Sequence, residues 1–382
     1  MQIHVVRPGD SVYSIARGWG VSPESITRIN ELQGQPYLVV GQALLIPVAD
    51  NRPRTRAEIN AYVEPGAQGY SEAALADVQR ALPQLTYLAP FSYRVRRDGS
   101  LQAPPLDGLL AQAQAAGATP MMVVTNLEEG GFSGELGRII LNDPEVQNRL
   151  LDNIIATARQ RGFRDIHFDF EFLRPQDREA YNQFLRRAAE RIHNEGWLIS
   201  TALAPKIRAG QVGQWYEAHD YRAHGEIVDF VVIMTYEWGY SGGPPMAVSP
   251  LPNVRQVLQY ALTEIPPGKI MMGQNLYGYD WTLPYVRGGP FARALSPQAA
   301  IRLAAERNVP IRYDWEAQAP FFNYYDDQRR QHVVWFEDAR SIAAKIALVK
   351  ELGIRGISYW KLGLPFPQNW ELLRDRFDIV KR

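Results

Sequence analysis

Cysteine is absent from the 382 residues, which excludes disulfides, thiol catalysis and thiolate metal sites and leaves the compartment open. Histidine is scarce at six, and no pair has a metal-ligand spacing such as HExxH, so no metal or other cofactor is expected. Neither sign of charge is in excess. The 41 Lys+Arg balance 41 Asp+Glu, which removes the electrostatic case for nucleic acid or an anionic membrane and favours an uncharged partner. No apolar stretch approaches the roughly 18 residues of a membrane span. The start, Met1 to Asp10, lacks the basic cap and apolar run of a signal peptide, so export by the general pathway is not expected. At 46% hydrophobic and 21% charged, the chain has material for one large core and something small beside it, and a monomer is expected.

What is present is concentrated in one octet, Asp165-Ile166-His167-Phe168-Asp169-Phe170-Glu171-Phe172. On a β-strand, residues two apart share a face, so Asp165, His167, Asp169 and Glu171 project one way and Ile166, Phe168, Phe170 and Phe172 the other. Asp169 and Glu171 then have Cα atoms about 6.5 to 7 Å apart, close enough to share a proton or one group of substrate atoms. From the octet alone, an amphipathic strand with its polar face in water is an equal alternative.

The wider pattern favours function. Eight apolar, β-rich segments alternate with helical stretches: Ile59 to Val63, Leu85 to Phe91, Pro120 to Thr125, Ile166 to Phe172, Leu198 to Leu203, Val228 to Met234, Ile270 to Asn275 and Ile354 to Trp360. This alternation predicts an α/β fold, a (β/α)8 barrel whose strands are covered on both faces. A row of acids inside such a barrel is costly unless it is used, and Glu171 falls at the C-terminal end of the fourth strand, where this fold carries its chemistry.

Residues 1–48 read as a separate βααβ unit, followed by a polar linker at 49–56 and the barrel at 57–382, with an α+β insertion at about 285–336 between strands seven and eight. The unit resembles a LysM module, through Val6-x-Pro8-Gly9-Asp10-Ser11-x-Tyr13-x-Ile15-Ala16, Asn30-x-Leu32 and Val40-Gly41-Gln42-x-Leu44-x-Ile46-Pro47. The resemblance implies binding of N-acetylglucosamine-containing glycans by two loops, one with Gly9, Asp10 and Ser11, the other from Gly34 to Leu38 with Tyr37 and Leu38. A structural cap on the barrel is the alternative.

Gly162-Phe163 followed by Phe168-Asp169-Phe170-Glu171 resembles the DxxDxDxE signature of family 18 glycoside hydrolases, with Arg164 and His167 standing where its first two acids are expected. Met234-x-Tyr236-Glu237 resembles the M-x-Y-[DE] element of that family, and Trp360 its sugar-platform tryptophan. The resemblance implies that Glu171 is the general acid and Asp169 the group that orients the substrate acetamide. Tyr236 is implied to hold the acetamide oxygen and Trp360 to floor the pocket. Glu237, Trp238, Tyr277, Trp281, His167, Asn60 and Tyr62 join Trp360 as expected substrate-binding residues, with His167 expected beneath Asp169 as a titrating neighbour.

Met234 to Pro245, Leu276 to Tyr285 and Gly363 to Trp370 are similar to one subgroup, the spore cortex-fragment-lytic N-acetylglucosaminidases. That resemblance implies retaining, substrate-assisted hydrolysis of N-acetylglucosaminyl bonds in cortex peptidoglycan fragments during germination, in the coat and cortex region of the spore. A chitinase acting on chito-oligosaccharides and a catalytically silent glycan-binding coat protein are the alternatives.

Overall fold

The computed structural model describes residues 1–35, 37–49, 53–106 and 108–382. Eight parallel strands, Thr55–Val63, Tyr87–Pro90, Thr119–Thr125, Asp165–Asp169, Leu198–Leu203, Phe230–Ile233, Ile270–Asn275 and Gly356–Leu362, each pair with the next. The eighth pairs with the first and closes the expected (β/α)8 barrel. Helices cover the outside, so most outward residues of the strands are apolar. Ile166, Phe168 and Phe170 of the octet are fully buried there, Phe168 lying edge-on to Phe184 at 5.3 Å between ring centres.

The helix before the fourth strand, Pro144–Arg161, is fixed at both ends. Asp143 caps it by accepting from the backbone N–H groups of Glu145 and Val146, and Gly162 takes the left-handed conformation (φ 83°) that turns the chain into Phe163 and the strand. The strand itself ends at Asp169. Phe172, expected on the apolar face, instead has φ 53°, is 41% exposed, and stacks on Trp215 with an interplanar angle of 10°. The period-two pattern runs past the point where the ladder stops.

Between strands seven and eight lies a five-stranded antiparallel sheet with the helix Pro297–Glu306. It starts at Gly278, earlier than the expected 285, because Asp280 and Trp281 already pair with Val334 and Val333.

In the N-terminal unit, Gln2–Val5 pairs antiparallel with Ala43–Ile46 around two helices, Val12–Trp19 and Pro23–Ile29, capped by Ser11 and Ser22. The unit is not a bead on a string. Ile29, Ala43 and Leu45 belong to the same apolar core as the barrel. The Gln368 amide donates to Asn30 Oδ1 (2.7 Å) and to the Ala43 carbonyl (2.9 Å). Gly41 (φ 86°) lies so close to the insertion that a Cβ there would sit 1.8 Å from the Ile311 carbonyl oxygen. The first barrel strand starts at Thr55, two residues inside the expected linker, whose residues 50–52 lie outside the described ones.

Candidate active site

Asp169 is the last residue of the fourth strand and Glu171 lies two residues beyond it; both are buried. Past the end of the third strand, the Asn126 side chain takes over the ladder. Its Oδ1 accepts the Glu171 backbone N–H (3.0 Å) and its amide donates to the Glu171 carbonyl (2.9 Å). The alternation therefore continues to Glu171 and aims its carboxyl into the barrel mouth. The Trp215 indole donates to Glu171 Oε2 at 2.5 Å.

The carboxyl groups of Asp169 and Glu171 lie against each other. Burial pushes both well above the usual carboxylate range, and the Asp169 charge raises Glu171 further. The two acids therefore ionise as a pair, one carboxyl keeping a proton while the other is charged. Asp169 Oδ1 has no partner within the protein, although it is buried.

His167 lies on the expected face of the strand, two residues before Asp169, but in a different chemical state from the one expected. Its Nδ1 lies 2.9 Å from Ser200 Oγ, and Ser200 donates to Asp165 Oδ1 at 2.8 Å. Its Nε2 lies 2.9 Å from the Tyr62 hydroxyl, so both ring nitrogens of His167 have hydrogen-bond partners. Burial pushes the imidazole down to about 3, and it stays neutral near pH 7. It is therefore not a titrating neighbour of Asp169, and it does not reach the cavity. Arg164, at the opposite end of the strand, is exposed.

A cavity of about 490 Å³ opens at the C-terminal ends of the strands, lined by Asp169, Glu171, Tyr236, Glu237, Tyr277 and Trp360 among others. Tyr236 follows the sixth strand. Glu237 turns back with φ 68°, and its carboxylate accepts the hydroxyls of Tyr277 (2.5 Å) and Tyr279 (3.0 Å). Trp360 faces the cavity on the same side of the eighth strand as Ser358, two residues earlier; its ring meets Tyr62 and Phe91 edge-on. Tyr62 also lines the cavity. Three other expected contacts do not. Asn60 is fully buried and donates to Ser358 Oγ (2.8 Å). Trp281 is buried with its indole bonded to the Gly243 carbonyl (2.9 Å), and Trp238 faces a separate depression with Tyr216 and Arg208. Their spacing from Tyr236 and Tyr277 is right, but the turns that carry them point them elsewhere.

Residues 129–364 match the family described as Glycosyl hydrolases family 18, and residues 4–47 match the LysM domain. The chain is a family 18 glycosyl hydrolase. It is 59% identical to the cortical fragment-lytic enzyme of Bacillus subtilis (strain 168), covering 100% of this chain and 99% of that protein. It is 51% identical to the cortical fragment-lytic enzyme of Bacillus anthracis, with 100% of both chains covered. The crystal structure of the Bacillus megaterium QM B1551 spore cortex-lytic enzyme SleL superposes with a TM-score of 0.96 at 48% identity, covering 100% of this chain and 99% of that one.

In this family 18 hydrolase, sequence reasoning missed Asn126, Trp215, Tyr279 and the hairpin Leu127–Phe132, all of them at the catalytic end of the barrel. Asn126 directly follows the third strand, so the strand-end rule contained a usable signal for it. Trp215 sits in an irregular loop with none. In the LysM module, Gly9 has φ 86°, Asp10 accepts from the Arg7 backbone (2.8 Å) and His4 (2.9 Å), and Ser11 caps a helix. Tyr37 donates to the Ala305 carbonyl of the insertion helix, and with Leu38 it faces that helix across a small groove.

Proposed function

We propose that this chain hydrolyses N-acetylglucosaminyl bonds in spore-cortex peptidoglycan fragments by a retaining, substrate-assisted mechanism. The observation that carries the mechanism is the buried pair of adjoining carboxyls, Asp169 and Glu171, in a cavity that Tyr236 and Trp360 also line, with the Trp215 indole donating to Glu171. Glu171 is held protonated and gives its proton to the glycosidic oxygen as the C1–O bond breaks. The acetamide oxygen of the substrate attacks C1 and closes an oxazolinium ring, so no enzyme nucleophile is needed. Asp169, a carboxylate throughout, accepts the acetamide N–H and balances the positive charge, while the Tyr236 hydroxyl holds the acetamide oxygen. Glu171 then takes a proton from water, whose oxygen opens the ring at C1 on the original face.

The other two acids of the described lining are occupied. Glu237 accepts two tyrosine hydroxyls, and Glu64 is ion-paired with Lys361. Full-length similarity to cortical fragment-lytic enzymes supports cortex fragments as substrate, with the LysM loop of Gly9, Asp10 and Ser11 adding contact to peptidoglycan. The protein then works as a monomer in the cortex and coat region of the spore. Mass spectrometry of cortex fragments digested by wild type and by Glu171→Gln tests this reading. New N-acetylglucosamine reducing ends from wild type, with a loss of about 10² to 10⁴-fold in the variant, are expected. Variant activity within tenfold of wild type removes Glu171 from its role.

A further inference from the structure

Among the described residues that line the catalytic cavity, Glu64, Asp169, Glu171 and Glu237 are acidic and one residue, Lys361, is cationic. Lys361 follows the floor residue Trp360, and its ammonium group stands 5.5 Å from the centre of that ring. Its partner is the carboxylate of Glu64, just past the end of the first strand, where Leu362 of the eighth strand pairs with Val63. Strand four lies four places from strand eight around the ring and three from strand one, so this pair faces the catalytic acids across the mouth.

The two side chains retain 30% and 36% exposure. An ion pair this open to water contributes little to stability, so structure alone gives weak reason for a lysine in an otherwise acidic and aromatic cavity. What the pair offers a ligand is one strong donor beside one strong acceptor. That is the complement of a secondary amide, whose carbonyl oxygen takes the ammonium hydrogen and whose N–H gives to the carboxylate. Chitin and peptidoglycan share the N-acetyl group that Asp169 and Tyr236 read. They differ at O3 of alternate sugars, where peptidoglycan carries a lactyl group amide-linked to peptide and chitin carries a hydroxyl.

We propose that Lys361 and Glu64 together recognise the lactyl amide of a muramoyl residue next to the cleaved N-acetylglucosamine, and so set the preference for peptidoglycan fragments over chito-oligosaccharides. The inference rests on the proposed function above. Its test compares kcat/KM for a purified muropeptide tetrasaccharide and for chitotetraose; an inhibition constant replaces KM where chitotetraose is not turned over. The proteins compared are wild type, Lys361→Met, Glu64→Gln and Lys361→Arg, with thermal melting to confirm folding. Lys361→Met and Glu64→Gln are expected to lower the muropeptide-to-chitotetraose ratio by about tenfold or more, chiefly through KM on the muropeptide, with Lys361→Arg holding it. Equal losses on both substrates, or an unchanged ratio in both variants, overturn the inference while leaving the cortex reading intact. Wild type that cuts no muropeptide overturns the cortex reading itself.

Discussion

Asn126 grips the backbone of Glu171 from both sides, accepting its N–H at 3.0 Å and donating to its carbonyl at 2.9 Å. One side-chain amide thus stands in for the strand neighbour that the barrel lacks at this point. The Glu171 carboxyl is aimed by a residue 45 positions away in the chain.

Asn126→Ala leaves two buried backbone groups unpaired at a cost of about 1 to 3 kcal/mol each. Because the loss falls on the aim of Glu171 rather than on the cavity, kcat is expected to drop more than tenfold with KM changed little. Steady-state kinetics beside a melting curve checks this, and equal effects on kcat and KM count against it.

The buried acids make stability depend on pH in an unusual sense. Asp165 is pushed up from 3.8 to about 8 by burial, and Asp169 and Glu171 shift the same way. A folded-state value raised above the unfolded one means the folded chain binds more protons between the two. That stability is fully present below about pH 4 for these groups and is lost as pH rises through the folded values, up to about 8 for Asp165. Melting temperature is therefore expected to fall from pH 5 to pH 8 by less in Glu171→Gln than in wild type, and the variant is expected to be the more stable at pH 8.

His167 bridges Tyr62 and Ser200 as a neutral ring, so it contributes no ionisation between pH 5 and 8. In His167→Asn, kcat is expected to fall because Tyr62 loses its hydrogen-bond partner, while both limbs of the kcat/KM profile stay in place. A limb displaced by a full unit in the variant is the contrary result.

Deleting residues 1–48 removes Ile29, Ala43 and Leu45 from the core they share with the barrel, together with the Gln368 hydrogen bonds. Each fully buried aliphatic side chain is worth about 1.5 to 3 kcal/mol. The deletion is thus expected to lower the melting temperature and the turnover of short soluble fragments, as well as retention on insoluble peptidoglycan. A truncated barrel that melts like the whole chain shows the module to be a tethered binder.

The barrel and the central pair of the site were legible because both follow from period-two alternation and strand-helix order. Ile166, Phe168 and Phe170 had to face the helices, which left Asp169 and Glu171 inside. Phe172 broke the pattern because Asn126 continues the ladder to Glu171 and no further. Trp238 and Trp281 were placed in the cleft by sequence proximity, which says nothing about how a turn aims a ring. Trp215 and Asn126 reach Glu171 from loops after other strands, and long-range contacts of that kind leave no periodic trace. His167 lay on the expected face, but its protonation depends on Ser200 and Asp165 closing round it, which only the fold reveals.

The central claim is that the substrate's acetamide, not an enzyme carboxylate, attacks C1. Mass spectrometry of the intact protein, quenched during turnover of cortex fragments in ¹⁸O-labelled water, tests it most directly. The account predicts unmodified enzyme throughout and a single ¹⁸O atom at the new N-acetylglucosamine reducing end. A glycosyl ester on Asp169 or Glu171 contradicts it.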